Sequence, residues 1–414
     1  KRRRRRRIHP PNAFLGGLMY RASFVAISTI LPAFGASVGC TSPVEDASAS
    51  TQDPSPVPTL SPPSGRDFSI VAGGDSTCVL RGGSVTCWGP LATGPKQSIT
   101  LAPTKIVLPE SAIQIAVAAD HACAITRGGG VFCWGEYLPG QFSERATEIA
   151  FSSRSRAISV GDGTTCALDE VGGVRCVGRN EFGQARAGDY FRNRTTIGDL
   201  CKDVGAVQPV PLGKPAKSVV TAGGHACALL NDGTTTCWGD NREGQAPQSD
   251  FAPESAGKAL AIFAAGNTTC NLYPWELTGG SGIVCRGAKN AEWYRNGTEA
   301  YTIGKCTWPF AHEIAVGPNH ICTFDRGKIE CSGANTFGEA PGYASTAGSL
   351  DVLQMAVGNH HTCVSVTSSA TEEAPSVFCF GANDSGQLGA PGPARPFPVR
   401  GGVGGEGGAA VVLP

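Results

Sequence analysis

From Phe68 onward, short runs of small apolar residues alternate with polar ones and stop at glycine-rich turns. "SVVTAGGHAC" (Ser218–Cys227) and "IAVGPNHIC" (Ile314–Cys322) are two examples. This period-2 pattern, bounded by Gly, Asn and Asp, predicts β-strands rather than helices. Each run leads into a cysteine, a turn, a second cysteine and then Trp-Gly or a variant of it. The first cysteines are Cys78, Cys123, Cys166, Cys227, Cys270, Cys322 and Cys363, spaced 45, 43, 61, 43, 52 and 41 residues apart. A period near 43 is the size of one four-stranded unit, and insertions account for the 61 and the 52.

The second cysteines are Cys87, Cys133, Cys176, Cys237, Cys285, Cys331 and Cys379. If Asn231-Asp232-Gly233 is a three-residue turn with Gly233 left-handed, Cys227 and Cys237 face each other across a hairpin. Gly82-Gly83 does the same for Cys78 and Cys87, and Arg326-Gly327 for Cys322 and Cys331. The thiols then fall on non-hydrogen-bonded pairs, where α-carbons approach to about 4.5 Å, within disulfide range. Cys270/Cys285 and Cys363/Cys379 need only a longer hairpin tip. Two other readings compete. Zinc sites present close C-x₂₋₄-C pairs, which are missing here, and reduced core cysteines would not recur at mirrored positions. One disulfide per unit is expected, each closing a short loop and contributing roughly 2–3 kcal/mol.

After "CWG" at Cys87–Gly89, Cys133–Gly135 and Cys237–Gly239 come loops carrying Asn and Gly-Gln. They read "GRNEFGQ" (Gly178–Gln184), "GDNREGQ" (Gly239–Gln245), "GANTFGE" (Gly333–Glu339) and "GANDSGQLG" (Gly381–Gly389). Seven such units in register, covering about Phe68 to Leu388, resemble the repeats of the regulator-of-chromosome-condensation family. They look most like its cysteine-rich, secreted bacterial branch. The resemblance implies an all-β, seven-bladed β-propeller. Several copies depart from the pattern: Val177, Arg286, Ser332 and Phe380 stand where Trp is favoured. "GPLATGP" (Gly89–Pro95) and "GAKNAEW" (Gly287–Trp293) lack Gly-Gln, so the blades should differ most in these loops.

Composition agrees with this picture. Glycine (56) and proline (29) make about a fifth of 414 residues, and only 16 % are charged, which favours short strands and turns. Net charge is zero but unevenly placed: Lys1, Arg2–Arg7 and Arg21 are eight basic residues before Cys40 with no acid among them. Beyond that point 26 basic residues face 34 acidic ones, a balance that argues against nucleic acid as a partner.

The N-terminal region reads as an address. "ASFVAISTILPAFGASVGC" (Ala22–Cys40) is apolar, interrupted by Pro32 and Gly35, and ends in small residues, as a secretory signal does. "SVGC" (Ser37–Cys40) resembles the lipobox of bacterial lipoproteins, which implies lipidation of Cys40 as the sole membrane contact. Ser37 departs from the Leu preferred there, so ordinary signal-peptidase cleavage is the alternative. Met19 would open a signal of ordinary length. Thr41–Arg66, rich in Pro and Ser, cannot bury enough surface to order itself. The expected organisation is 1–39 basic segment and signal, 40–66 tether, 67–414 propeller. "AAVVLP" (Ala409–Pro414) is expected to pair into the blade that Phe68–Val71 begins, locking the ring.

For function, His121, His225, His320 and His361 share one repeat position, held elsewhere by Ser76, Thr164 and Thr268. Exchange with Ser and Thr points to a side chain satisfying a backbone group rather than to a ring of metal ligands. Motifs for catalysis, nucleotides or metal (H-E-x-x-H, G-x-S-x-G, a Walker loop, a dinucleotide fingerprint) are lacking, so neither an enzyme nor a cofactor is expected. Two insertions, Ala185–Pro215 and Ala291–Phe310, carry Cys201, Cys306 and aromatic residues beside Arg. Tyr190, Phe191, Trp293 and Tyr294 are the candidate partner-binding residues, because aromatic and Arg side chains dominate binding hot spots. The expected function is an exported, lipid-anchored protein-binding scaffold at a bacterial envelope. Inhibition or regulation of an extracellular enzyme is the alternative. Nucleotide exchange on a GTPase or hydrolysis in a central pocket fits the export signal less well.

Overall fold

The computed structural model describes residues 68–92, 102–185, 203–247, 258–275, 280–287, 301–303, 313–325, 328–340, 343–345, 350–368, 375–394, 409–411 and 413. Cys40, Cys201, Cys306, Tyr190, Phe191, Trp293 and Tyr294 lie outside the described residues. Pro56–Pro414 forms one compact unit.

Its strands gather into seven antiparallel sheets. Each is contiguous in sequence: the seven begin with strands Phe68–Gly73, Ala112–Val117, Ser155–Gly161, Ala216–Ala222, Ala261–Ala265, Glu313–Val316 and Leu350–Val357. These first strands touch in succession, and Leu350–Val357 returns to Phe68–Gly73. That cycle is a closed seven-bladed propeller. Six blades have four strands; in blade 4 three are described, and residues 248–257, which follow them, lie outside the described residues.

The apolar core lies between blades. Seven clusters of buried residues each draw on two neighbouring blades. Trp88, for example, joins Phe68, Ile70 and Val79 of blade 1 to Ala356, Val377 and Leu388 of blade 7. Because both faces of each sheet are covered, second strands such as His121–Thr126 are buried at every residue. Their unbroken runs of small and apolar residues follow from that two-sided burial.

The hairpin registers are as expected. Cys227 pairs with Cys237, Ala228 with Thr236 and Leu229 with Thr235, and Leu230 N–H donates to Thr234 O across a turn in which Gly233 has φ 81°. Gly82 and Gly83 have φ 55° and 80°, the two left-handed residues of a type I′ turn. All seven cysteine pairs are disulfides with α-carbons 3.9–4.1 Å apart.

Two expectations about blade limits need correction. Ala409–Val411 pairs with Val377–Cys379 and completes blade 7, not blade 1. Blade 1 has no vacancy, since Phe68–Ile106 supplies its own four strands. The ring therefore closes without a shared strand. The two insertions also hold regular structure: Val204–Val210 is the fourth strand of blade 3 and Tyr301–Ile303 that of blade 5.

The glycine two residues after the second cysteine of every blade has a steric cause. At Gly239 φ is 96°, and a Cβ would stand 2.5 Å from Gly224 O in the turn between the first two strands. The next residue, Asp240, donates its N–H to that same carbonyl. Glycine stands at this position in all seven blades, with φ between 86° and 134°. Gly239→Ala is expected to cost about 3 kcal/mol, from left-handed strain plus the clash. Gly213→Ala, at φ 71° with open space around it, should cost about 1 kcal/mol. Equal denaturation midpoints for the two variants would refute this assignment.

Candidate functional site

The polar residues that recur at repeat positions are candidates for a site, and the structure places most of them in bonds that build the ring. In the Asn-x-x-Gly-Gln loops, Asn180, Asn241, Asn335 and Asn383 accept from the backbone N–H five residues on, at 2.9–3.1 Å. Gln184, Gln245 and Gln387 accept from the N–H two residues back, each at 2.9 Å. Glu339 takes that role in blade 6 at 2.7 Å. All but Asn241 and Asn335 are buried, and all hold the turn, as local side-chain bonds of this kind do.

The loops also fasten blades together. Trp238 Nε1 donates to Gln184 O, and Trp88 Nε1 donates to Gln387 O across the closing interface, both at 2.8 Å. Blade 1 lacks Gly-Gln and makes a short 3₁₀ turn at Pro90–Ala92 instead. Among the described residues, the buried Trp134 Nε1 of blade 2 correspondingly has no partner. A departure visible in "GPLATGP" is thus felt one blade away.

The histidines form the second set of fasteners. Each is buried, and its Nε2 lies 2.7–2.8 Å from a threonine hydroxyl of the following blade: His121 with Thr165, His225 with Thr269, His320 with Thr362, and His361 with Thr77. The structural role expected of them holds, but their partner is a side chain in the next blade, not a backbone group. Ser76 and Thr164 do satisfy backbone groups, at Leu91 N and Arg179 O. The signal for the missed partner is in the sequence. A blade bearing His is followed by one with Thr just before its first cysteine; a blade bearing Ser or Thr is followed by Ala122, Ala226 or Ile321.

Proton positions follow from this network. Thr362 donates its hydroxyl proton to Glu339 O at 3.0 Å, so His320 donates from Nε2 and its Nδ1 carries a lone pair. Among the described residues, the Nδ1 atoms of His320 and His361 have no hydrogen-bond partner, whereas the Ala222 backbone works to raise the pKa of His225. Burial lowers the pKa of His225 to about 4, against a partial offset from Asp240. It lowers those of His320 and His361 to about 3, with neighbouring histidines adding to the effect. All three are neutral at pH 7.

Blade 2 differs. Asp120 Oδ1 lies 2.8 Å from His121 Nδ1, so Asp120, His121 and Thr165 have the connectivity of a carboxylate–imidazole–hydroxyl relay. Thr165 and His121 are both fully buried, and the hydroxyl also lies 3.6 Å from the Cys123 sulfur. No substrate reaches that oxygen in this conformation, and the same His–Thr bond recurs three times without a carboxylate. It is a fastener with a charged brace.

Around Asp120 the loop end of blades 2 and 3 gathers charge. Arg179 lies 3.8 Å from Asp120 and 3.5 Å from Glu136. Burial raises the Asp120 pKa, but the bond and charge of His121, an N–H of Gly163 and Arg179 outweigh it and the net shift is downward. Burial and the Asp120 charge push Asp162 up. Among the described residues, no group of three or more His, Cys, Asp or Glu could hold a metal ion.

This architecture defines the class: a seven-bladed β-propeller with one disulfide per blade. Three of its units, residues 112–136, 156–184 and 217–245, match the family described as the regulator of chromosome condensation (RCC1) repeat. The chain is therefore a seven-bladed propeller in which three of the seven units carry RCC1 repeats. Solved structures agree at the level of fold. The Saccharomyces cerevisiae protein Prp20p, studied for its binding to Gsp1p and histones, is 15% identical with a TM-score of 0.60, over 80% of this chain and 86% of that one. Human WBSCR16 is 17% identical, with a TM-score of 0.60 over 74% and 88%. Yeast RCC1 (Prp20) bound to Kap60 is 15% identical, with a TM-score of 0.57 over 75% and 81%. No curated protein sequence matches the chain significantly.

Proposed function

We propose that this chain is a binding scaffold, exported and lipid-anchored through Cys40, that holds a protein partner on variable loops carried by a rigid ring. The observation that carries this reading is where its polar groups go. The recurring His, Thr and Trp side chains are spent on joining blades and the Asn and Gln side chains on holding their own turns, while sequence variation is left to loops and the two long insertions. Loops on a rigid support are where recognition residues concentrate. The seven disulfides favour an oxidising compartment, which agrees with the export signal and opposes action on a cytosolic GTPase. Prp20p, which shares the fold, binds Gsp1p and histones, and protein binding is the coarse property carried over. The net-negative body disfavours nucleic acid.

The experiment is capture from envelope extract with the body from Arg66 onward as bait. A stoichiometric protein should be retained, and combined alanine substitution of Tyr190, Phe191, Trp293 and Tyr294 should weaken its capture at least tenfold with thermal unfolding unchanged. Undiminished capture by that variant would remove the insertions from the site. Absence of any retained protein would remove the scaffold reading itself.

A further inference from the structure

Four His–Thr bonds join blades, and they are unevenly placed. Blades 2, 4 and 6 give a histidine and blades 3, 5 and 1 receive one with a threonine. Among the described residues, blade 7 alone does both: Thr362 receives from His320 of blade 6, and His361 gives to Thr77 of blade 1. Alternating givers and receivers cannot close evenly around an odd ring, and blade 7 takes up the mismatch. A glutamine side chain accepts across this seam as Gln114 does from Ile158 N–H between blades 2 and 3. Ile70 N–H donates to Gln354 Oε1 at 3.0 Å, and Asn359 N–H to Gly74 O at 2.8 Å.

The groups facing these two rings supply little countercharge. From blade 6 come Asn319, which donates to Asn359 O, and Glu339. The Glu339 carboxylate turns into its own loop, taking the Phe337 N–H on Oε2, and its buried Oε1 has no partner. Within blade 7 stands His360, packed edge-on against Phe337 at 5.8 Å. From blade 1 comes Asp75, 3.9 Å from His360 Nδ1 rather than from either buried ring. Among the described residues, the Nδ1 atoms of His320 and His361 have no acceptor, whereas in blade 2 Asp120 stands ready for that of His121.

We propose that blade 7 is an acid-sensitive element, unlatched from both its neighbours when His320 and His361 take up protons on Nδ1. A proton there is buried without an acceptor, and the strand pair can relieve it only by parting from the next blade and admitting water. With ordinary histidine affinity in the open form, each ring raises the opening constant about 30-fold at pH 5, and both together about 1000-fold. Blade 3, braced through His121 and Asp120, lacks this response. The device is independent of what the propeller binds.

Amide hydrogen exchange of the oxidised body, compared at about pH 7.5 and about pH 5 after correction for intrinsic rates, tests it. The strands Leu350–Val357, His361–Ser368 and Ser376–Gly381 should lose protection at pH 5 by a factor far larger than His121–Thr126 and Thr164–Asp169. The variant H320Q/H361Q keeps a donor near Nε2 but cannot titrate, and should abolish the blade 7 response. A uniform change across all blades, or a blade 7 response that survives in the variant, would overturn the proposal. If the variant does not fold, the native chain decides by NMR: ring protons of His320 or His361 titrating near the ordinary histidine value in the folded state would equally overturn it.

Discussion

Reduction of the disulfides is expected to abolish the fold, and to do so only after the chain has been loosened. Each bridge closes a loop of 9 to 16 residues and contributes about 2–3 kcal/mol on the chain-entropy account, so seven contribute about 15–20 kcal/mol. That exceeds the about 5–15 kcal/mol by which a whole domain is ordinarily stable. The fourteen bridged cysteines are all buried, the most exposed at 7%, and exchange needs an attacking thiolate to reach sulfur. In native buffer, dithiothreitol should therefore leave the bridges intact for hours. In mild guanidinium they should be lost together with the strand signal in circular dichroism, which should return only on reoxidation. A fully reduced chain that still unfolds cooperatively would show that the bridges are dispensable.

Acid is expected to destabilise the whole propeller through its buried histidines. The folded pKa values of His225, His320 and His361 lie below the unfolded value of 6.5. The unfolded chain therefore binds protons first. The stability these residues contribute is complete above about pH 6.5 and is lost as pH falls toward about 4 for His225 and about 3 for the others. At pH 5 each accounts for about 2 kcal/mol, so the three together remove about 6 kcal/mol. Asp162, whose carboxyl is pushed up by burial and the Asp120 charge, offsets part of the loss at the acid end. Guanidinium midpoints at about pH 7.5 and about pH 5 would measure this; coincident midpoints would mean that the rings are not buried as described.

The cysteine pairs, hairpin turns and blade number are legible in the sequence because they are local. A turn such as Asn231-Asp232-Gly233 dictates its own register, and repetition supplies the rest. The single role shared by the Asn-x-x-Gly-Gln loops is legible for the same reason. What escapes a reading unit by unit is the contact between units. The partner of His225 is Thr269, 44 residues away, and only comparison of each unit with the next reveals that His and Thr occur together. Closure escapes it too: "AAVVLP" has the composition of a strand, but nothing local says that it lies beside Val377–Cys379. The brace of Asp120 with Arg179 and Glu136 is built from residues at the strand ends and turns of two blades that differ from unit to unit, so no repeat pattern announces it.

Because each blade is drawn from one contiguous stretch and no strand crosses the seam, the propeller can be taken apart in sequence as it is in space. Outside blade 7, which both receives and gives, the smallest piece that can be copied or deleted without stranding a ring nitrogen or a hydroxyl is two repeats long, a giver followed by a receiver. A lineage of such proteins would be expected to grow and shrink by doublets, with the last repeat kept in place as the adaptor that lets an odd circle meet its own beginning.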